Sequence, residues 1–143
     1  MTFKNYNPQL IIASFNGVVL QGFADGTHLR IERSEDVYST VVGTGGDVTR
    51  VRNHNKTGMV TFTLMAESIS NSQLQALQLV DEATGLGRGS LYIEDLNGTI
   101  LVDAAQAWIM KSPDSEYSKE SAGNREWRIQ CAELSMLLSG AII

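Results

Sequence analysis

Two histidines, His28 and His54, a single cysteine, Cys131, and four acidic sites at Asp25, Glu35-Asp36, Asp81-Glu82 and Glu94-Asp95 are the groups from which an active centre would have to be built. A zinc or other transition-metal site needs Cys, His or carboxylate ligands in a convergent pattern, and neither histidine lies at a ligand spacing from the other or from Cys131. General acid–base chemistry needs carboxylates or a base that converge on one substrate atom. Adjacent acids on a strand point to opposite faces, so each of the acidic pairs reads as turn or terminus chemistry rather than as a catalytic dyad. A hydrolase would need a nucleophile in a sharp strand-to-helix turn, supported by a base and an orienting group. The pattern predicts no enzyme, no metal and no cofactor.

Two glycine-rich stretches invite a phosphate-loop reading, Gly85-Leu86-Gly87-Arg88-Gly89-Ser90 and Gly43-Thr44-Gly45-Gly46. A phosphate loop runs from a strand into a helix, so that the helix N-terminus faces the anion. Both stretches are followed by strand patterns, which predicts a helix C-cap in the first case and a flexible tip in the second. Trp108 and Trp127 could stack on sugars, but both sit in apolar or cleanly alternating runs, and core packing is the expectation for each. Asn55-Lys56-Thr57 and Asn97-Gly98-Thr99 match the glycosylation pattern; without a secretory route that reading lapses.

The bulk properties narrow the class further. A chain of 143 residues with 43% hydrophobic and 19% charged residues has globular composition, and at this size a domain buries roughly two-thirds of the surface its unfolded chain exposes. One domain over residues 1–143 is expected. The net charge is −5 and the basic residues are dispersed, apart from Arg50, Arg52 and Lys56, so the electrostatic footprint of static nucleic-acid binding is missing. Cys131 has no partner for an intramolecular disulfide and lies among apolar neighbours, as a buried thiol in a reducing cytosol would. The N-terminus has no basic n-region ahead of an apolar run, which argues against a signal peptide, and no stretch reaches the ~20 apolar residues of a membrane span.

The elements that must position these residues are mostly strands. Gln9 to Phe15 and Val18 to Gln21 flank Asn16-Gly17, the dipeptide favoured by a two-residue type I′ hairpin turn. Gly22 to Gly26 reads as a second reversal with Asp25-Gly26 at its tip, and Thr27 to Arg33 as a strand with Leu29 and Ile31 on one face. Met59 to Glu67 is a strand with Val60, Phe62 and Leu64 on its apolar face. A helix follows over about 71–84, with Ser70 as N-cap, Gln73 completing a capping box, Leu74 and Leu77 at helical spacing, and Gly85 as C-cap. Ser90 to Asp95 and Thr99 to Met110 flank Asn97-Gly98 and are expected to pair. Glu126 to Leu138 reads as one long final strand. The predicted fold is mainly β, an antiparallel barrel or sandwich with one flanking helix.

Between the third strand and Met59 the pattern changes. Val37 to Val42 and Val48 to Arg52 read as two short strands joined by the glycine-rich tip, a long hairpin arm over about 34–58. Its outer half carries too few apolar residues to pack against the domain's own core, so it is either mobile or completed by another molecule.

Taken in order, these pieces resemble the tail tube proteins of contractile-tailed bacteriophages. The marks are Gly22-Phe23-Ala24-Asp25-Gly26 leading to Ile31-Glu32 and Glu35-Asp36; Gly43 with Gly46-Asp47-Val48 and Arg50; and Thr61-Phe62-Thr63-Leu64. They continue with Ser70-Asn71, Asp95 with Gly98, Ala107-Trp108-Ile109 and Arg125-Glu126-Trp127. They run from about residue 10 to the end of the sequence. The resemblance implies a structural virion protein whose copies form stacked rings, six to a ring, around a lumen through which DNA passes at ejection without specific binding. It implies assembly in the host bacterial cytoplasm and, as partners, further copies of the chain with sheath, tape measure, baseplate and tail terminator proteins. It implies no membrane and no small-molecule ligand. The same fold serves type VI secretion and pyocin-like tubes, which remains an alternative; a β-sandwich glycan-binding module is another.

In that setting the arm is where contacts between rings are expected, at Asp36, Tyr38, Val42, Asp47, Arg50, Arg52 and Asn53. Opposite charges such as Asp47 and Arg50 would set register more than affinity. A net acidic chain also suits a lumen through which a polyanion must slide, because a basic lining would hold each phosphate.

Overall fold

The structure is a computed structural model that describes residues 11–24, 29–95, 100–114 and 123–137. Strands β1 (Ile11–Phe15) and β2 (Val18–Val19) form the first hairpin, with Phe15 opposite Val18. The turn between them takes the left-handed backbone that the type I′ geometry demands, with φ of 48° at Asn16 and 82° at Gly17.

The next segment departs from expectation. Gly22 to Ala24 do not turn the chain around: Phe23 bridges Leu64, and the Ala24 amide donates to the Thr63 carbonyl at 2.9 Å. Strand β3 (Leu29–Arg33) then runs along the same flank of β6 (Gly58–Met65) in the same direction, with Leu29 opposite Phe62. The chain therefore continues one edge across an interruption; the tip expected at Asp25-Gly26 lies outside the described residues. The reason is packing: Gly22, at φ 73°, sits where an added Cβ would meet the Ser68 side chain, and its carbonyl accepts the Met65 amide.

Strand β6 is as alternating in space as in sequence, with Val60, Phe62 and Leu64 fully buried and Met65 exposed. It leads into helix α1 (Ile69–Thr84). The N-cap is Ser68 rather than Ser70: the Ser68 hydroxyl accepts the Ser70 amide at 3.2 Å, while the Ser70 hydroxyl is buried and accepts the Gln21 amide at 2.9 Å. Gly85 closes the helix with φ 71° and its amide donates a hydrogen bond to the Asp81 carbonyl, as a C-cap glycine is expected to. Leu74 is fully buried, whereas Val80 is turned to solvent.

Strands β7 (Gly89–Asp95) and β8 (Ile100–Ile109) pair as an antiparallel hairpin whose Asn97-Gly98 tip lies outside the described residues. Between the Gly89–Ala107 and Leu91–Ala104 pairs the register shifts. This bulge reverses which side chains face inward: Val102 and Ala104 are buried before it, Ala107 and Ile109 after it. Trp108 is therefore turned to the outer face and only half-buried, not in the core as its apolar surroundings predict.

The expected final strand is present as β9 (Asn124–Cys131) and β10 (Ser135–Leu137), separated by a short break. Cys131 opposes Ala107 and Met136 opposes Val102, so both pieces hold one register along β8. The break serves the other flank, where the Leu134 amide donates to the Lys56 carbonyl at 2.9 Å and the Arg33 guanidinium donates to the Leu134 carbonyl at 2.8 Å.

The strand order of the large sheet is β2-β1-β7-β8-β9-β6-β3, with β10 also on β8. Its end strands β2 and β3 do not meet, so the sheet is sandwich-like rather than a closed barrel. The core lies between its two halves, and Phe15, Phe62, Leu64, Ile129 and Trp127 are its largest members. The Trp127 indole N–H donates to Asn71 Oδ1 at 2.8 Å, which ties the helix start to β9 and satisfies the buried polar atom.

Candidate functional site

The arm forms as its sequence predicts and as a separate sheet. Strands β4 (Tyr38–Val42) and β5 (Val48–Arg52) pair with each other and with no strand of the large sheet. All ten of their residues are exposed. An isolated two-stranded hairpin is marginal in water, because it has no apolar face to bury.

Local bonds shape both ends. At the tip the Gly43 amide donates to the Asp47 carbonyl at 2.8 Å and the Gly46 amide to the Gly43 carbonyl at 3.0 Å, with Gly46 at φ 87°. At the base the Asn53 amide donates to the Val37 carbonyl at 2.7 Å, Asn53 Nδ2 donates to Glu35 Oε2, and the Ser34 amide reaches the Thr57 carbonyl at 3.1 Å. The polar exit is a pair of side-chain turns: Asn53 Oδ1 accepts the Asn55 amide at 2.9 Å, and Asn55 Oδ1 accepts the Thr57 amide at 3.0 Å.

Register sorts the arm into two faces. Tyr38 opposes Arg52, Thr40 opposes Arg50 and Val42 opposes Val48, so these six share one face. The other carries Ser39 and Val41 against Val51 and Thr49. Four of the residues expected to make contacts, Tyr38, Val42, Arg50 and Arg52, thus come together on a single surface. Arg50 lies with its guanidinium carbon 4.2 Å from the centre of the Tyr38 ring, a cation–π pair that holds the arginine along the sheet. Asp36 precedes β4, Asp47 lies at the tip and Asn53 closes the base; these three belong to the ends of the arm rather than to that face.

The sequence reading passed over the arm's other apolar residues. Val37, Val41, Val48 and Val51 are 44%, 56%, 67% and 45% exposed. The signal is in the sequence, since valines in a hairpin with no second sheet to cover it must point somewhere uncovered.

The large sheet also has two outward faces of different chemistry. Over β3, β6 and β9 it is mostly polar, lined by Arg30, Glu32, Thr61, Thr63, Glu126 and Arg128 with Met59 among them. Each arginine there is paired with the acid two residues away on its own strand, Arg30 with Glu32 at 3.5 Å and Arg128 with Glu126 at 3.0 Å. Over β1, β7, β8 and β10 it is apolar and acidic, with Ile12, Tyr92, Leu101 and Leu137 exposed beside Glu94 and Asp103. The Tyr92 hydroxyl donates to Glu94 Oε2 at 3.2 Å, and partial burial together with the Glu94 and Asp103 carboxylates holds its pKa above the ordinary phenol value.

Among the described residues no group of three or more His, Cys, Asp or Glu side chains is placed to hold a metal ion. His54 is exposed on the arm's exit, and His28 lies outside the described residues. No described helix is long and apolar enough to cross a membrane. Cys131 is fully buried, and burial pushes its thiol up to about 11.

Comparison with known proteins places this architecture. The solved structures it resembles include the tube-terminating cap of the anti-feeding prophage (TM-score 0.61, 9% identity, 97% of this chain and 95% of the other). They also include the sheath/tube terminator of an extracellular contractile injection system, PVC (TM-score 0.60, 11% identity, 96% and 100%). A third is the PVC sheath-tube complex in its extended state (TM-score 0.57, 10% identity, 94% and 93%). At these identities the likeness is one of fold. A curated relative, structural protein ORF10 of Pseudomonas phage KPP10, is 30% identical over 112 residues, which are 77% of this chain and 64% of the relative's length. Residues 11–139 match the family described as bacteriophage PhiTE tail tube protein, a span that takes in every described element. The chain belongs to this family of phage tail tube proteins.

Proposed function

We propose that this chain is a single-domain, non-enzymatic subunit that assembles with copies of itself into stacked, six-membered rings, forming the tube through which DNA leaves the virion. The observation that carries the reading is the arm: a hairpin with all ten strand residues exposed is a poor investment of chain for a monomer and a sensible one for a polymer. Its Tyr38, Val42, Arg50 and Arg52 face supplies contact area, while Asp36, Asp47 and Asn53 sit where its base and tip meet a neighbour. Sheath, tape measure, baseplate and tail terminator proteins are the other partners, and the site of action is the virion tail after assembly in the host cytoplasm. The self-paired arginines on the outward face of β3, β6 and β9 suit a wall past which a polyanion slides, since each positive charge is already answered locally.

A second reading follows from the terminators among the structures of like fold: a chain that closes one ring and stops. Negative-stain microscopy of the purified protein separates the two. Long tubes support the tube subunit, isolated rings the terminator, and monomers at high concentration count against both. Deletion of Gly43–Asp47 is expected to leave a folded subunit that no longer grows tubes; continued growth would remove the arm from the assembly.

A further inference from the structure

We propose that the Arg50/Arg52 face of the arm docks on the apolar, acidic outward face of β1, β7, β8 and β10 in a second copy of this chain. The inference rests on the assembly reading above and names the surface that the arm meets.

Neither surface is covered by another element among the described residues, and each has what the other requires. The arm presents Tyr38, Val42 and Val48 with two guanidinium groups, one of them held over the tyrosine ring. The sheet face presents Ile12, Leu101 and Leu137, exposed to 41%, 37% and 62%, with the Glu94 and Asp103 carboxylates among them. Register puts the two acids on that same face: Ile12 opposes Glu94, Leu101 opposes Glu94 across the next pair, and Asp103 opposes Tyr92 and Ser135. Apolar area covered by apolar area provides the drive, and the crossed charges select the partner and its orientation.

The alternative sheet face fits the arm less well. On β3, β6 and β9 the acids Glu32 and Glu126 already face arginines of their own strands, so an incoming guanidinium meets as much positive as negative charge. The apolar, acidic face has no arginine or lysine among its outward residues on β1, β7, β8 or β10. The two docking surfaces are also different patches of one chain. A contact between unlike patches is heterologous, and it propagates into rings or open stacks where a contact of like patches would stop at a dimer.

A charge swap in the full chain tests the pairing, read by sedimentation and negative-stain microscopy, with circular dichroism and thermal unfolding confirming that each variant folds. Arg50→Glu with Arg52→Glu is expected to raise the concentration needed for assembly at least about tenfold, because like charges then face each other. Glu94→Arg with Asp103→Arg is expected to do the same. The chain carrying all four changes is expected to recover assembly to within about threefold of the original, since the crossed charges are restored. Should Glu94→Arg disturb the fold, Asp103→Lys with Arg52→Glu makes the same swap at two exposed positions. Tubes from the original chain, with either reversal harmless or with no recovery in the combined variant, overturn this pairing and leave the tube reading standing. An original chain that stays monomeric at every concentration overturns both.

Discussion

The exposed valines of the arm permit a separation of folding from assembly. Val41, Val42, Val48 and Val51 are 56%, 64%, 67% and 45% exposed, which together amounts to about two whole valine side chains left in water. Covering that surface in an assembly contributes roughly 3–6 kcal/mol per subunit at the usual 1.5–3 kcal/mol for a buried aliphatic side chain. Threonine keeps the branched β-carbon and the strand preference but replaces one methyl by a hydroxyl. Changing all four to Thr should therefore forfeit about half of the gain, on the order of 1.5–3 kcal/mol, and raise the concentration at which tubes form by about tenfold to a hundredfold. The subunit itself should be indifferent, because surface substitutions without a packing role fall within about 0.5 kcal/mol. Urea unfolding of the dilute protein checks the second statement, and light scattering across a concentration series checks the first. A variant that assembles like the original refutes the idea that the arm's apolar surface is buried in the tube. A variant destabilised by more than about 1 kcal/mol refutes the idea that the arm is energetically separate from the core.

Two further outcomes test the core that supports the arm. Gly58→Ala should cost about 1–3 kcal/mol in equilibrium unfolding, because an added Cβ would approach the Glu32 carbonyl oxygen to 2.9 Å and press on the Leu134 side chain; an unchanged midpoint would contradict the close packing where β6 leaves the arm. Cys131, with its thiol pushed up to about 11, should resist a thiol reagent at pH 8 until the protein unfolds. Since the folded pKa lies above the unfolded value, this group's contribution is complete below pH 9.0 and is lost as pH climbs towards about 11, a decline on the order of 3 kcal/mol measurable by unfolding at stepped pH.

The arm, the hairpins and the buried stripe of β6 are all legible in the sequence because each follows from a local rule: a glycine-rich or Asn-Gly turn, period-two alternation, or their failure. What was not legible depended on contacts between distant residues. Ser68 and Ser70 are equally good caps by type, and only the Gln21 amide, 49 positions away from Ser70, decides that Ser70 is occupied elsewhere and Ser68 caps. Trp108 reads as core because it sits in the apolar run Ala104–Ile109; the bulge opposite Ser90 inserts one residue, moves Ala107 and Ile109 inward and puts the indole outside. Gly22 looked like a reversal because glycine usually marks one, and its positive φ is instead used to bring the chain against Ser68.

Assembly imposes a different logic on sequence from folding. Within the core every strand alternates, and every departure from alternation is answered by a bulge or a break that restores burial. In the arm alternation fails: Val42 and Val48 lie on one face and Val41 and Val51 on the other, so both faces carry strand-forming apolar residues, and among the described residues no second layer covers either. Strand residues retained without a core imply that the missing layer belongs to another molecule, because an arm meant for solvent alone could be written in polar residues at no cost to the subunit. The helix shows the contrast. Its outward Leu79 and Val80 sit on a helix already anchored by Leu74 and by Asn71 to Trp127, whereas among the described residues the arm has no anchor beyond its base. An element so built adds little to the stability of the subunit that carries it, which is why the proposed assembly gives it its role in the contact with the next.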